Sequence, residues 1–549
     1  VFFYYFSQKS MVMKRAAGLT VILAVFLLSF KGDRSSQPDL HEITLIKQEG
    51  FSNSQVMQTM FEMTDVNGPR LTGSTGMKAA EKWAADKLES WGLSNVHIEP
   101  WGGFGKGWEI NKSYVAMTEP YYQALIGVPR AWTPGTNGLV KGSAALVKIE
   151  SAADMANYAG KLRGKIVVLT TMNGDTKLNF TADAKRYTDD ELQKMEADPH
   201  TEEGTTNLSQ KPKVQTPPPA VNPAVLLRRQ IDSFLLGEGA VAVLSGGRGT
   251  MGTVFTSNGA SRAWDARPVL PDMEMSSEHL ARLVRLLEAG KQVGLEMDTR
   301  TTFLMADSVE NNVVAEIPGT DPELKDQLVI IGAHLDSWHA ATGATDNGTG
   351  SAVMMEAIRI LKAIGVQPRR TIRLVLWSGE EQGLLGSRAY VKKHFADRMT
   401  MELKPAQAKV SAYYNLDNGA GKIRGIFLQG NDELRETFSQ WLAPFHDLGA
   451  TTVTIKNTGS TDHVSFDEVG IPAFQFIQDP LEYGTRTHHT NMDSYDRISS
   501  NDLQQAAIVI ASFVYNTAQR DGMLPRKPLP KPQSTTHSKG VDKVKPFKP

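Results

Sequence analysis

Two periods of apolar residues run along this chain, and they divide it. Residues 76–92 set apolar side chains at helical spacing and end on Gly92, which predicts a helix. Val96-His97-Ile98 then alternates like a strand. From about residue 115 to 300 the texture changes. Short apolar strands, such as 165–169 and 240–244, lie between glycine-rich turns. Within that region, residues 173–219 carry few large apolar side chains and end in Thr216-Pro217-Pro218-Pro219. Too little there can be buried to form a core, so an exposed insertion that the fold can lose is expected. From 311 to 520 strands and helices alternate. The continuous apolar runs 327–333 and 371–377 suit strands buried on both faces, and 350–365 between them reads as an amphipathic helix. The predicted fold is α/β, a mixed, mainly parallel sheet flanked by helices with an inserted β-rich domain. The sheet domain is expected over 36–114 and 301–525, and the inserted domain over 115–300. A tail over 526–549, rich in Pro and Lys, reads as disordered.

Composition narrows the chemistry. The 549 residues exceed one compact domain. With 41% hydrophobic and 22% charged residues, wholesale disorder and a polytopic membrane protein are both disfavoured. Lys plus Arg is 59 against 60 Asp plus Glu, so nothing drives the chain toward nucleic acid or anionic lipid. Cysteine is absent, which removes disulfides, thiol catalysis and Cys-ligated zinc. Any metal must sit on His, Asp and Glu. Lys14-Arg15 precede an apolar run over 16–30 that Lys31 ends. That length suits a signal segment and falls short of the ~18–20 residues of a spanning helix. Residues 1–35 are therefore expected to be a signal peptide or N-terminal anchor, with translation starting at Met11 or Met13. A secreted or periplasmic location follows, with membrane contact only through an uncleaved segment.

Five short motifs carry the candidate chemistry, most of them at or just after an expected strand. They centre on His334 and Asp336, on Asp346, on Glu380-Glu381, on Asp417, and on His488-His489 with Asp493. Ligand residues of α/β proteins collect at strand C-termini. Singly, each has an ordinary explanation: a hydrogen-bonded His, a solvated carboxylate pair, an Asp in a turn or capping a helix. Together they resist it, because adjacent carboxylates such as Glu380-Glu381 repel after an apolar strand unless cations offset them. Two zinc ions sharing one carboxylate need about two further protein ligands each. His334, Asp346, Glu381, Asp417 and His489 supply that set and leave Glu380 as a general base. Asp336 and Asp493 are candidate partners for the imidazoles.

These residues sit in strings that resemble metallopeptidase family 28, the co-catalytic di-zinc exopeptidases. The likeness runs from Asn67-Gly68-Pro69-Arg70 to Met523-Leu524-Pro525. It is densest in His334-Leu335-Asp336-Ser337-Trp338 and from Pro368 into Glu380-Glu381-Gln382-Gly383. The resemblance implies that His334 and Asp417 bind one zinc and Glu381 and His489 the other. It makes Asp346 the bridge and Glu380 the base. It selects His489 over His488, since the family's metal His precedes an Asp by four positions, here Asp493. It also implies a protease-associated domain in the region 115–300. Thr461-Asp462-His463-Val464-Ser465-Phe466 is closer to the family's aminopeptidase branch than to its carboxypeptidase branch, so His463 becomes a candidate substrate contact, the other reading being a plain hydrogen-bonded loop His. Arg486 is a candidate for a substrate carboxylate. The expected activity is removal of N-terminal residues or cleavage of dipeptides, with a peptide as partner and a homodimer as candidate assembly. Two alternatives stay open: another zinc enzyme on this scaffold, such as a glutaminyl cyclase, and a non-catalytic binding protein.

Overall fold

A computed structural model describes residues 37–532, apart from 173, 176–179, 199–221, 257 and 307. The N-terminal segment 1–35, the proline run at 217–219 and most of the 526–549 tail lie outside the described residues.

Two eight-stranded sheets carry the fold. In the first, Thr371–Trp377, Leu328–His334, Val410–Asn415 and Ala473–Gln478 are neighbours and run parallel. Antiparallel strands flank them, Val309–Ile317 and Ser94–Gly103 on one side and Ile423–Phe427 on the other. The mixed, mainly parallel sheet expected from the apolar runs is present, and Thr371–Trp377 coincides with its run. Both faces are covered, which is why these strands are apolar throughout. Val329, Ile331 and Ala333 face a core shared with the helices Thr75–Ser90, Thr349–Ala363 and Ser500–Gln519. The intervening Ile330 joins a second core with Tyr390, Phe395 and Phe466. Tyr413 and Phe466 stack there at 4.1 Å.

The chain leaves this sheet through Gly107–Lys112 and returns through Arg300–Leu304, which pair as an antiparallel ribbon. Between them lies the second sheet, with Val140–Val147, Ile166–Leu169, Ala242–Gly246 and Asp272–Met275 parallel at its centre. Helices cover it as well. Leu280, Leu283 and Val284 of Ser277–Glu288 pack on one face, and Ile231 and Leu235 of Pro223–Gly237 on the other.

Two expectations need correction. The described part of the insertion is not free of the fold. It forms the helix Asp189–Ala197, starting with a Thr188–Glu191 capping box, and buries Leu192. It also docks on the first sheet domain. Arg186 pairs with Asp479 and Asp502, both at 2.8 Å, and Thr454 donates to the Met195 carbonyl. Leu192, with Tyr187 and Met195 half-buried beside it, supplies the apolar contact, charge pairs add to it, and no hydrophobic period announces them. The tail likewise begins bound: Arg526 donates to the carbonyls of Gln407 and Val410, and Lys527 pairs with Asp467 at 2.7 Å.

Asp479 is wholly buried beneath the insertion, between Arg186 and Arg424, the latter at 2.9 Å. Removing one partner of a buried charge leaves the other exposed to its desolvation cost. Arg424→Met should therefore destabilise the fold by about 3 kcal/mol, read as a lower denaturant midpoint. An unchanged midpoint would mean that Arg186 alone satisfies Asp479.

Candidate active site

Parallel strands put their C-terminal ends on one edge, and the candidate residues gather there. His334 is the last residue of Leu328–His334, and Glu380-Glu381 follow Thr371–Trp377. Gly379 turns the chain between strand and glutamates at φ +71°, where a side chain would be strained. Asp417 follows Val410–Asn415, and Asp346 lies just ahead of the helix Thr349–Ala363. His489 comes from the loop after Ala473–Gln478 and has a left-handed backbone, φ +58°.

Their atoms converge in two groups that share one carboxylate. His334 Nε2 lies 3.5 Å from Asp346 Oδ1 and 3.4 Å from Asp417 Oδ1. His489 Nε2 lies 3.1 Å from Asp346 Oδ2 and 2.8 Å from Glu381 Oε2. Each oxygen of Asp346 thus serves a different histidine. Asp346 Oδ2, Asp417 Oδ1 and Glu381 Oε1 are buried without a hydrogen-bond partner, so the short contact of Asp346 Oδ2 to His489 lacks hydrogen-bond geometry. Buried polar atoms without partners are costly, and lone pairs aimed at one point are what a cation takes up. By spacing, His334, Asp346 and Asp417 could hold one metal ion, and Asp346, His488 and His489 form a second such group. Glu380 is buried too, with Oε2 at 3.9 Å from His334 Nε2.

The electrostatics follow from crowding acids in a dry site. Burial holds Glu380 well above the usual carboxylate range, with Asp417, Asp462 and Glu381 adding to it against the pull of His334. Burial and Asp346 push Glu381 up to about 7. Burial alone would depress the His489 imidazole, yet Glu381 and Asp346 lift it to about 11. Against the same burial cost, His334 and His489 hold Asp346 well below its ordinary value.

The supporting residues differ in part from expectation. Asp336 does hold His334, through its carbonyl at 2.9 Å from Nδ1 and with its carboxylate Oδ1 at 3.6 Å from the same nitrogen. A donating Nδ1 leaves the Nε2 lone pair facing Asp346 and Asp417. The Asp336 carboxylate also accepts from the backbone N–H groups of Glu380 and Glu381 and from the Thr72 hydroxyl. Asp493 does not partner the His489 ring. Its carboxylate accepts from the N–H groups of Thr345 at 2.6 Å and Asp346 at 3.0 Å, fixing the Asp346 loop. His463 is buried, with Nε2 near Gln429 and the Thr458 carbonyl, and burial lowers it to about 4. Arg486 is taken by Asp183 of the insertion, with Glu482 at 3.5 Å. His488 is half exposed and stacks on Tyr483 at 4.6 Å. Burial, His489 and Arg248 lower its imidazole against the pull of Asp346.

Three contributors went unassigned in the sequence. Arg70 is fully buried and donates to the carbonyls of Leu335, Thr342 and Gly343, tying together two loops of the site. Asp462 is buried with both carboxylate oxygens unpartnered, and burial pushes it up to about 7. Thr72 accepts from the Gly379 N–H while donating to Asp336. Arg70, Thr72 and Asp462 all lie in strings that carry the family likeness, and that was their only signal.

Comparison with known proteins gives the class, a metallo-exopeptidase. Residues 312–514 match Peptidase family M28, the family that the sequence resembles. Carboxypeptidase Q of Pongo abelii is 26% identical over 479 residues, 87% of this chain and 88% of that protein. The solved structure of a peptidase M28 precursor from Shewanella amazonensis SB2B is similar with a TM-score of 0.63 and 26% identity, over 89% of this chain and 98% of that one. A zinc aminopeptidase from Bacillus subtilis shares the fold, with a TM-score of 0.53, 18% identity, and 85% and 95% of the two chains covered.

Proposed function

We propose that this chain is an exported di-zinc exopeptidase that splits dipeptides or removes the N-terminal residue of short peptides. The observation that carries the reading is the division of Asp346, one oxygen toward each histidine. In this reading His334 and Asp417 complete one zinc site, and His489 and Glu381 the other. Glu381 is preferred to His488 because its carboxylate is buried, carries an unpartnered oxygen and lies 2.8 Å from His489 Nε2. The donor set of His and carboxylates suits zinc. Zinc held by these residues would supply Lewis-acid chemistry toward a carbonyl and a water molecule. Glu380 is placed to accept a proton from the attacking water and to deliver it to the leaving amine. Its backbone is fixed by Asp336, so the carboxylate keeps its aim. The surplus of buried carboxylates attracts the substrate's free α-ammonium, and an N-blocked peptide leaves them unpaired. Export rests on the apolar segment 16–30. No helix among the described residues is long and apolar enough to cross a membrane.

Metal analysis and hydrolysis of one dipeptide in free and N-acetylated forms test the reading. Two zincs per chain and a strong preference for the free amine are expected. One zinc per chain, or equal rates, would overturn it. Asp493→Asn gives a finer check. An amide has a single acceptor oxygen where two N–H groups now bind two. Zinc affinity should fall roughly ten- to a hundredfold, measured by competition with a chromophoric chelator.

A further inference from the structure

The inserted domain reaches the metal-side loop. Phe255 pairs with Thr490 in an antiparallel bridge. The Thr256 N–H donates to the His489 carbonyl at 2.8 Å, and the Asn491 N–H to the Val254 carbonyl at 3.1 Å. The Asn491 side chain adds two more, accepting from the Val254 N–H and donating to the Gly252 carbonyl. His489 is thus held in its left-handed conformation partly by another domain.

The inserted domain's side of this contact carries an unclaimed cation. Arg248 follows Ala242–Gly246 between glycines 246, 247 and 249, all with φ near +95°. Only glycine takes that backbone cheaply, so the loop is bent tightly and lifts Arg248 outward. Its guanidinium lies over the Phe255 ring, 4.1 Å from the centroid. The side chain is exposed, and among the described residues no carboxylate pairs with it. The other arginines around the site are engaged. Arg486 is held by Asp183, Arg388 binds the Gly383 carbonyl and faces Glu468, and Arg70 is spent on backbone carbonyls. A planar guanidinium backed by an aromatic ring keeps its donor edge free for a carboxylate.

We infer that Arg248 binds the C-terminal carboxylate of the substrate and so directs the enzyme toward dipeptides and other very short peptides with a free C-terminus. The inference rests on the exopeptidase reading above. In a dipeptide the carboxylate stands one residue beyond the scissile bond. Arg248 stacks on Phe255, whose backbone pairs with Thr490, the residue after His489, so its charge stands on the His489 side of the site. The inserted domain then supplies a specificity contact that the sheet domain lacks.

The test compares kcat/KM for a dipeptide and its C-amide, in the zinc-loaded wild type and in Arg248→Ala and Arg248→Lys. The wild type should favour the free acid. Losing one charge-assisted hydrogen-bonding partner should lower the acid-to-amide ratio by roughly ten- to a hundredfold in Arg248→Ala. The loss should fall mainly on KM of the free acid, and Arg248→Lys should recover part of it. Arg248 is exposed, so the fold survives, and zinc content controls for damage to the metal loop. An equal loss on both substrates, or an unchanged ratio, would overturn the inference while leaving the exopeptidase reading intact. Cleavage of neither substrate by the zinc-loaded wild type would overturn both.

Discussion

Glu380→Gln is expected to lower turnover by roughly two orders of magnitude or more while zinc content stays at the wild-type level. Glutamine matches glutamate in shape, and the backbone N–H of residue 380 stays bound to Asp336. What goes is the capacity to take a proton. Glu380 stands apart from the two shared groups. Its nearest approach to His334 is 3.9 Å, against 2.8–3.5 Å for the contacts within them. A carboxylate near the reacting atoms that is not needed to hold a metal is free for proton transfer. Burial raises its basicity, which favours proton uptake. Steady-state kinetics and metal analysis on the purified variant check this together. Near-normal turnover would remove Glu380 from the mechanism, and loss of one zinc would make it a ligand.

Much of this architecture is visible in short stretches of sequence, and the reason is local. Thr371–Trp377 and Leu328–His334 are runs of apolar residues because helices cover both faces of their sheet. Parallel strands place their ends together, so polar residues at those ends read as one cluster even though His334 and His489 are far apart in the chain. What the sequence conceals is pairing at long range. Thr72 and Asp336 are 264 positions apart, and Thr345 and Asp493 are 148 apart. No spacing rule connects them, so the sequence points Asp493 at an imidazole when its carboxylate holds a backbone loop, and it hides the backbone contacts that Asp336 makes besides His334. The same blindness hid the insertion's docking. Arg186, Asp479 and Asp502 look like ordinary surface charges until the fold buries two of them. It also left Arg486 as the only candidate cation, because neither the capture of Arg486 by Asp183 nor the approach of Arg248 to the His489 loop leaves a local pattern.

Removing zinc should lower the melting temperature by about 10 °C or more near pH 7.5, and the loss should shrink toward pH 5. Binding only to the folded chain stabilises it by about 4 kcal/mol per site at a thousandfold excess over Kd, and 1 kcal/mol moves a large domain by about 2 °C or so. The pH dependence comes from protons that compete with the metal. Glu381, ordinarily at 4.5, stands at about 7 in the metal-free fold, and His489, ordinarily at 6.5, at about 11. A group raised by folding stabilises the folded chain below its unfolded value, and that contribution is lost as pH rises through the folded value. For Glu381 the window is about 4.5 to 7, and for His489 about 6.5 to 11. Zinc requires both groups deprotonated. At pH 5 the metal must displace protons that already stabilise the fold. At pH 7.5 the Glu381 proton is gone, and the metal-free site keeps repelling carboxylates that zinc would neutralise. Asp346, held well below its ordinary value, stays charged throughout and adds no slope here. His339 and His463, both lowered to about 4 by burial, titrate alike with and without zinc and cancel in the difference. Calorimetric scans of zinc-loaded and chelated protein at pH 5, 6 and 7.5 give the measurement. His334, Glu380, Asp462 and Asp493 are raised in the same site and add to the slope in the same direction. A difference in melting temperature that stayed flat or fell with rising pH would refute a zinc site built on these raised groups.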